Sequence, residues 1–209
     1  MINRILFFPV AFTLLLLLGA CTAKQPPLPI DTMSAVPGTQ VSRQGEILAL
    51  TGTGIAVGQK LPDTALVDAA TMKPLNLNDY RGSVLFLSIV PSIDTKVCEA
   101  QTHYLGEQGD KLPPTVKRIT VSRDTPFAQK RFAKEAKLED IQYLSDYKEG
   151  AFGRSIGLLV EGSRLLARSV ILVDKKGIVQ YIQVVPDISH LPDMATALAR
   201  AAALARQSS

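Results

Sequence analysis

The chain has 209 residues, with 23 Lys and Arg against 19 Asp and Glu, a formal net charge of +4, two cysteines and two histidines. So small and scattered a basic excess offers no stripe for nucleic acid, and the length suffices for one domain with a proper core plus a tether. The chain has no phosphate-cradling glycine motif, no Gly-x-Ser-x-Gly elbow and no internal repeat. His103 and His190 stand in no ligand spacing with acidic residues or cysteines, so no metal or other cofactor is implied, and both read as surface or helix-flank residues.

In chain order, Arg4 precedes an apolar run from Ile5 to Leu18 that closes on Leu18-Gly19-Ala20-Cys21. The charged start, apolar core and small residues mark an export signal over residues 1–20, and the run is too short for a comfortable transmembrane span. The ending is a lipobox. In bacterial lipoproteins of this pattern the matching cysteine receives a diacylglycerol, so Cys21 is expected to be the lipidated N-terminus. Lipidation removes its thiol, which excludes a Cys21–Cys98 disulfide and leaves Cys98 as the free one. An uncleaved anchor is the competing reading, and both put the rest of the chain at a membrane surface. The expected location is the bacterial cell envelope, facing the periplasm or outside. Thr22 after the cysteine favours the outer membrane.

Residues 21–45 are rich in Pro, Ser, Thr, Gln and Gly without apolar period, and read as a lipidated N-terminus and flexible tether. A domain spanning 46–209 follows. Its first element is expected to be a hairpin over Ile47–Val57, turning at Gly52 and Gly54. Val84–Val90 and Val116–Ser122 are β-rich apolar runs with helical stretches between and after them, the rhythm of a parallel pair. Thr125-Pro126 reads as a helix start, with Ala128, Phe132 and Ala136 recurring at four-residue intervals. Ser169–Asp174 and Ile178–Val185 flank Lys175-Lys176-Gly177 and pair as an antiparallel hairpin. A last helix near Asp193–Arg206 buries Met194, Leu198, Ala201 and Leu204. The plan is α/β and thioredoxin-like: a mixed central sheet, parallel in its first half and antiparallel at the end, with helices on both faces.

On that plan Cys98 follows the buried strand ending at Val90 and sits in the first turn of a helix, where unpaired N–H groups and the helix dipole favour an anion. An ordinary cysteine, with a pKa of about 8.5, is mostly protonated at neutral pH and reacts as its thiolate. The strand from Ser169 runs antiparallel to the one ending at Val90, so Arg168 falls at the same sheet end and points at the thiol. Thr95, three residues before the cysteine, can turn its hydroxyl to the sulfur or a bound peroxide. Pro91 offers a rigid ring to shield it. Asp94 and Glu99 are expected to face away, since an inward carboxylate would oppose a thiolate. His103 is expected on a solvent-facing helix side. These groups suit attack of a thiolate on an O–O bond, with donors placed for the leaving oxygen.

Pro-x-x-x-Thr-x-x-Cys with a distant Arg resembles the peroxiredoxin active site. Val90 to Thr95 with Val97-Cys98, Ser122-Arg123-Asp124, Pro126 to Phe132, Leu144-Ser145-Asp146 and Leu166-Ala167-Arg168 look like the thiol peroxidase subfamily, over roughly Glu46 to Ala203. The resemblance implies that Cys98 is the peroxidatic cysteine, with Thr95 and Arg168 its activating partners and Pro91 its shield. It also implies the subfamily's homodimer. Two departures stand out. Arg131-Phe132 is followed by Ala133 where the subfamily usually has a resolving cysteine, so an external thiol or a thioredoxin-like reductant must reduce Cys98. Thr64 replaces a usual aromatic, implying a packing change. The expected function is peroxide reduction, of hydrogen peroxide and organic hydroperoxides, through a single cysteine. The alternative is a catalytically impaired redox-sensing or scaffold lipoprotein.

Overall fold

The computed structural model describes residues 26–207. The predicted signal, Cys21 and Thr22 lie outside that range. Among the described residues no helix is long and apolar enough to cross a membrane.

A seven-stranded sheet forms the centre, in the order β11-β10-β6-β7-β8-β4-β5. Its middle strands are β6 (Val84–Ile89), β7 (Val116–Ser122) and β8 (Gln142–Ser145), all mutually parallel. β10 (Ser169–Val173) and β11 (Val179–Val184) continue it antiparallel on one side, and β4 (Ala65–Asp68) and β5 (Pro74–Asn76) on the other. The thioredoxin-like mixed sheet is thus present. Its antiparallel strands flank the parallel core on both sides instead of following it only at the end.

β6 explains why the core divides in two. All six of its residues are buried, and alternate side chains serve opposite faces of the pleat. Val84 and Phe86 join Val170, Leu172 and Leu105 with Met194, Ala197, Leu198 and Ala201. Leu85, Leu87 and Ile89 join Ile171, Val173 and Leu144 with Phe152, Ile156, Leu50 and Val41. The first layer is closed by α1 (Lys96–Glu107), α2 (Pro126–Glu135) and α4 (Met194–Gln207). The second is closed by α3 (Ala151–Ser155) and a small sheet of β2 (Gln40–Arg43), β3 (Glu46–Thr51) and β9 (Leu159–Val160).

The helix and turn expectations find their physical cause in the local contacts. Thr125 accepts a hydrogen bond from the Ala128 N–H at 3.3 Å, with Pro126 in the first turn. Pro126, Gln129 and Ala133 are the buried residues of α2, while Ala128, Phe132 and Ala136 are half-buried beside them. The β10–β11 hairpin turns through Gly177 at φ +82°, with Asp174 accepting from the N–H groups of Lys176 and Ile178 at 2.8 and 2.9 Å. In α4 the stripe is Met194, Ala197, Leu198, Ala201 and Ala205, with Leu204 only partly buried.

Two expectations fail at the N-terminal side. The hairpin is β2–β3, with Arg43 opposite Glu46 and the turn at Gln44-Gly45. Gly52 lies beyond it, and a Cβ there would fall 1.8 Å from the Arg154 carbonyl oxygen, so its glycine serves a close backbone approach. Residues 29–45, expected to be part of a flexible tether, are instead built into the domain. β1 (Ile30–Asp31) pairs in parallel with β12 (Leu191–Pro192), Ala35 N–H bonds the Val184 carbonyl at 2.8 Å, and Val41 is buried at 4 % exposure. The domain therefore starts near Pro29, ahead of Glu46. These residues dock by backbone pairing on sheet edges, which leaves no apolar period in the sequence to announce it.

Candidate active site

β6 delivers the chain to one end of the sheet at Val90, whose N–H bonds the Val121 carbonyl at 3.0 Å. The following loop is fastened by Asp124, at the same end of β7. Its carboxylate accepts from the Ser92 hydroxyl and the Ile93 N–H, both at 2.8 Å. The chain then enters α1 at Thr95, and Cys98 falls in the first turn. Ser145 donates to the Asp124 carbonyl, and Gln129 donates to Ser122 at 2.9 Å and to the Leu144 carbonyl at 3.0 Å. The three motifs at Ser122, Leu144 and Pro126 thereby knit the platform under the loop.

Cys98 is fully buried in a small cluster with Val90 and Ile93, against which Ala128 and Phe132 of α2 pack. Arg168, immediately before β10, reaches it. Ser169 pairs with Ile89 in the antiparallel register, which sets Arg168 beside the end of β6. The residue is 2 % exposed, and its guanidinium donates to three acceptors on two segments: on α1, Nη2 to Cys98 Sγ at 3.3 Å and Nη1 to Gln101 Oε1 at 2.9 Å, and in the turn before β12, Nε to the Ile188 carbonyl at 2.9 Å. Gln101, one turn after Cys98, donates in turn to Ser88 Oγ at 2.9 Å. Each polar group in this buried chain thus has a partner, as a low-dielectric site requires.

The predicted residues divide accordingly. Cys98 and Arg168 meet, and Pro91 is buried in the loop that leads to Cys98. Thr95 is exposed and donates to the Ser92 carbonyl at 3.4 Å instead of turning to the sulfur. Asp94 and Glu99 are exposed, as electrostatics demands. His103 lies partly exposed on α1, 3.7 Å from Glu99. His190 is half-buried and pairs through Nδ1 with Asp31 Oδ2 at 3.1 Å, a role its sequence surroundings did not suggest. Thr64 Oγ1 lies 3.3 Å from Ser155 Oγ, a polar contact where an aromatic ring was expected. Sequence reasoning missed Gln101, Ser88, Asp124 as a loop fastener and the Ile188 carbonyl. Only the four-residue spacing of Gln101 from Val97 on a helix hinted that its side chain turns inward.

A Redoxin family profile matches residues 56–198, a span that contains every side chain of this cluster. The chain belongs to the Redoxin family. Within it, a thiol peroxidase of Halalkalibacterium halodurans is 38 % identical over 163 residues, 78 % of this chain and 97 % of that protein. A thiol peroxidase of Listeria innocua is 39 % identical over 160 residues, 77 % of this chain and 96 % of the relative. The peroxiredoxin-like protein from Aquifex aeolicus superposes with a TM-score of 0.75 at 29 % identity, covering 81 % of this chain and 99 % of that one. The fold is the thioredoxin-like fold of the peroxiredoxins, and the chain is a peroxiredoxin enzyme of the thiol peroxidase subfamily.

Proposed function

We propose that this peroxiredoxin reduces hydrogen peroxide and organic hydroperoxides through Cys98 alone, with an external thiol completing the cycle, at a membrane to which lipidated Cys21 ties it. The observation that carries the reading is the 3.3 Å contact between Arg168 Nη2 and Cys98 Sγ. The sulfur, as thiolate, attacks one peroxide oxygen; the S–O bond forms as the O–O bond breaks, and the departing oxygen leaves as alkoxide or hydroxide and takes a proton. Arg168 is a fixed donor at the place where that negative charge grows, so it stabilises the transition state more than the ground state. Thr95, exposed at the mouth of the first turn, must give up its bond to the Ser92 carbonyl to turn its hydroxyl to the incoming peroxide. Pro91, buried at the start of the loop, supplies a rigid ring to keep water from one side of the sulfur.

The product is a sulfenic acid on Cys98. Position 133 is alanine, and Cys98 is the free cysteine among the described residues. An external thiol therefore displaces water to give a mixed disulfide, and a second thiol releases the Cys98 thiol as a disulfide leaves. A thioredoxin-like protein of the envelope fits this role, as does a small thiol. The export signal and lipobox support an anchored protein of the bacterial envelope, and Thr22 favours the outer membrane.

Complete burial of Cys98 favours a second reading, in which turnover has been lost and slow oxidation of a sheltered thiol is read by a partner. Local opening of the first turn or of the Pro91–Thr95 loop must admit peroxide in the catalytic reading. Rapid mixing of the reduced full-length protein with equimolar peroxide, with trapping of sulfenic acid at Cys98, separates the two. Oxidation far faster than in the unfolded chain is expected there, and many turnovers once a thiol and excess peroxide are added. Equality with the unfolded control refutes the peroxidase reading.

A further inference from the structure

The Ile188 carbonyl that orients Arg168 belongs to a turn between β11 and β12 with no helix or strand of its own. That turn is gripped from two sides. On one, Ser42 N–H bonds the Pro186 carbonyl at 2.7 Å, Ile188 N–H bonds the Ser42 carbonyl at 2.9 Å and Gln44 N–H bonds Asp187 Oδ2 at 3.0 Å. On the other lies the strap that leads back toward Cys21. Leu191 N–H bonds the Pro29 carbonyl at 2.8 Å, Gln183 Nε2 donates to the Asp31 carbonyl at 2.7 Å and Val184 N–H donates to Ser34 Oγ at 3.0 Å. The Asp31 carboxylate closes the grip: Oδ2 lies 3.1 Å from His190 Nδ1 and accepts weakly from the Asp187 N–H at 3.5 Å. One carboxylate oxygen thus holds the residue before Ile188 and a residue just after it.

We propose that the strap Pro29–Ala35, through Asp31, is a positioning device for the active-site arginine. Asp31 fixes the 187–190 turn, the turn presents the Ile188 carbonyl, and that carbonyl sets the angle at which Nε, and with it the whole planar guanidinium, faces Cys98. A rigid fork transmits displacement, so a shift at Nε reappears at Nη2. Misplacement of a reacting or stabilising group by about 1 Å costs about 100-fold in rate. Asp31 touches neither sulfur nor substrate and acts entirely through Arg168.

This inference rests on the peroxidase reading, and a double-mutant cycle in the full-length protein distinguishes their failures. The rate of Cys98 oxidation by hydrogen peroxide is measured by rapid mixing for wild type, Asp31→Ala, Arg168→Met and the double variant, with thermal melting of each. Asp31→Ala is expected to slow oxidation by about tenfold in wild type but by less than about twofold once Arg168 is methionine, because the coupled part vanishes with its target. Asp31→Asn, which keeps one acceptor oxygen, should fall between wild type and alanine. It carries the same cycle if the alanine variant melts below the assay temperature. Equal slowing in both backgrounds overturns the inference, since Asp31 then acts through general stability. An unchanged Asp31→Ala beside a slow Arg168→Met overturns it while leaving the peroxidase reading intact. An Arg168→Met protein as fast as wild type overturns both.

Discussion

Replacement of Gln101 by leucine tests the buried chain that holds the active site. Leucine fills much of the same space on α1 but can neither accept from Arg168 Nη1, now at 2.9 Å, nor donate to Ser88 Oγ, also at 2.9 Å. Gln101 and Ser88 are fully buried and Arg168 nearly so, so water cannot take over either bond. An orphaned buried polar group costs about 1–3 kcal/mol, more when charged, so two of them predict a loss of about 2–6 kcal/mol. At about 2–4 °C per kcal/mol for a domain of this size, the melting midpoint should drop by roughly 5–20 °C. The internal control is Ser88→Ala added to Gln101→Leu. Removing the second partner as well costs little further, and the pair should melt no lower than Gln101→Leu alone. Gln101→Glu keeps an acceptor for the guanidinium, leaves Ser88 free to donate, and should lose less. Thermal melts by circular dichroism, with peroxide oxidation rates at 25 °C, form the assay. A Gln101→Leu protein melting within about 1 °C of wild type would show that these bonds do not carry the stability assigned to them.

Cys98→Ser should abolish peroxide consumption, and Arg168→Met should slow it by about 100- to 1,000-fold, the cost of losing one preorganised donor; stopped-flow oxidation rates near wild type refute that placement of the arginine. Gly157→Ala should destabilise by about 2 kcal/mol or more, because φ is +70° and a Cβ would lie 2.5 Å from Gly54 Cα and 2.7 Å from Gly38 N. An unchanged urea midpoint would refute that crowding. Asp193 accepts from the Thr196 hydroxyl at 2.7 Å and the Thr196 N–H at 3.0 Å, and these bonds hold its carboxyl below the ordinary value. Its contribution is therefore complete above the ordinary carboxyl pKa of about 3.9 and lost as pH falls through the lowered folded value, so the Asp193→Ala penalty of about 1 kcal/mol at pH 7 should shrink toward pH 2. A penalty independent of pH, read from denaturation curves, would show that the carboxylate is not what caps α4.

The legible parts of the sequence were those in which local pattern and final environment agree. β6 is a continuous β-rich run because both its faces are covered, β7 is covered from Ile119 onward, and the Thr125-Pro126 start and the Gly177 turn are set by contacts within a few residues. Arg168 could be aimed at Cys98 because antiparallel pairing with β6 determines which strand ends meet. Residues 29–45 were misread as tether for the opposite reason: their stabilisation comes from edges more than a hundred residues away, such as Val184 and Leu191, and backbone pairing asks little of side-chain type. Thr95 was misdirected because a residue three places before a cysteine can face it or the preceding loop, and its hydroxyl bonds the Ser92 carbonyl of that loop.

The amino-acid sequence by itself determined the thioredoxin-like plan, the place of Cys98 at a helix start and the arginine that faces it, because these follow from periodicity, residue chemistry and strand direction; that Ala133 stands where a resolving cysteine is usual came only from the resemblance to thiol peroxidases. The tertiary structure alone decided that the thiol is buried, that Gln101, Ser88 and the Ile188 carbonyl hold the guanidinium, and that the N-terminal strap belongs to the domain. Those facts depend on contacts between residues far apart in the chain, whose partners are ordinary glutamines, serines and carbonyl groups until folding removes the water that would otherwise satisfy them.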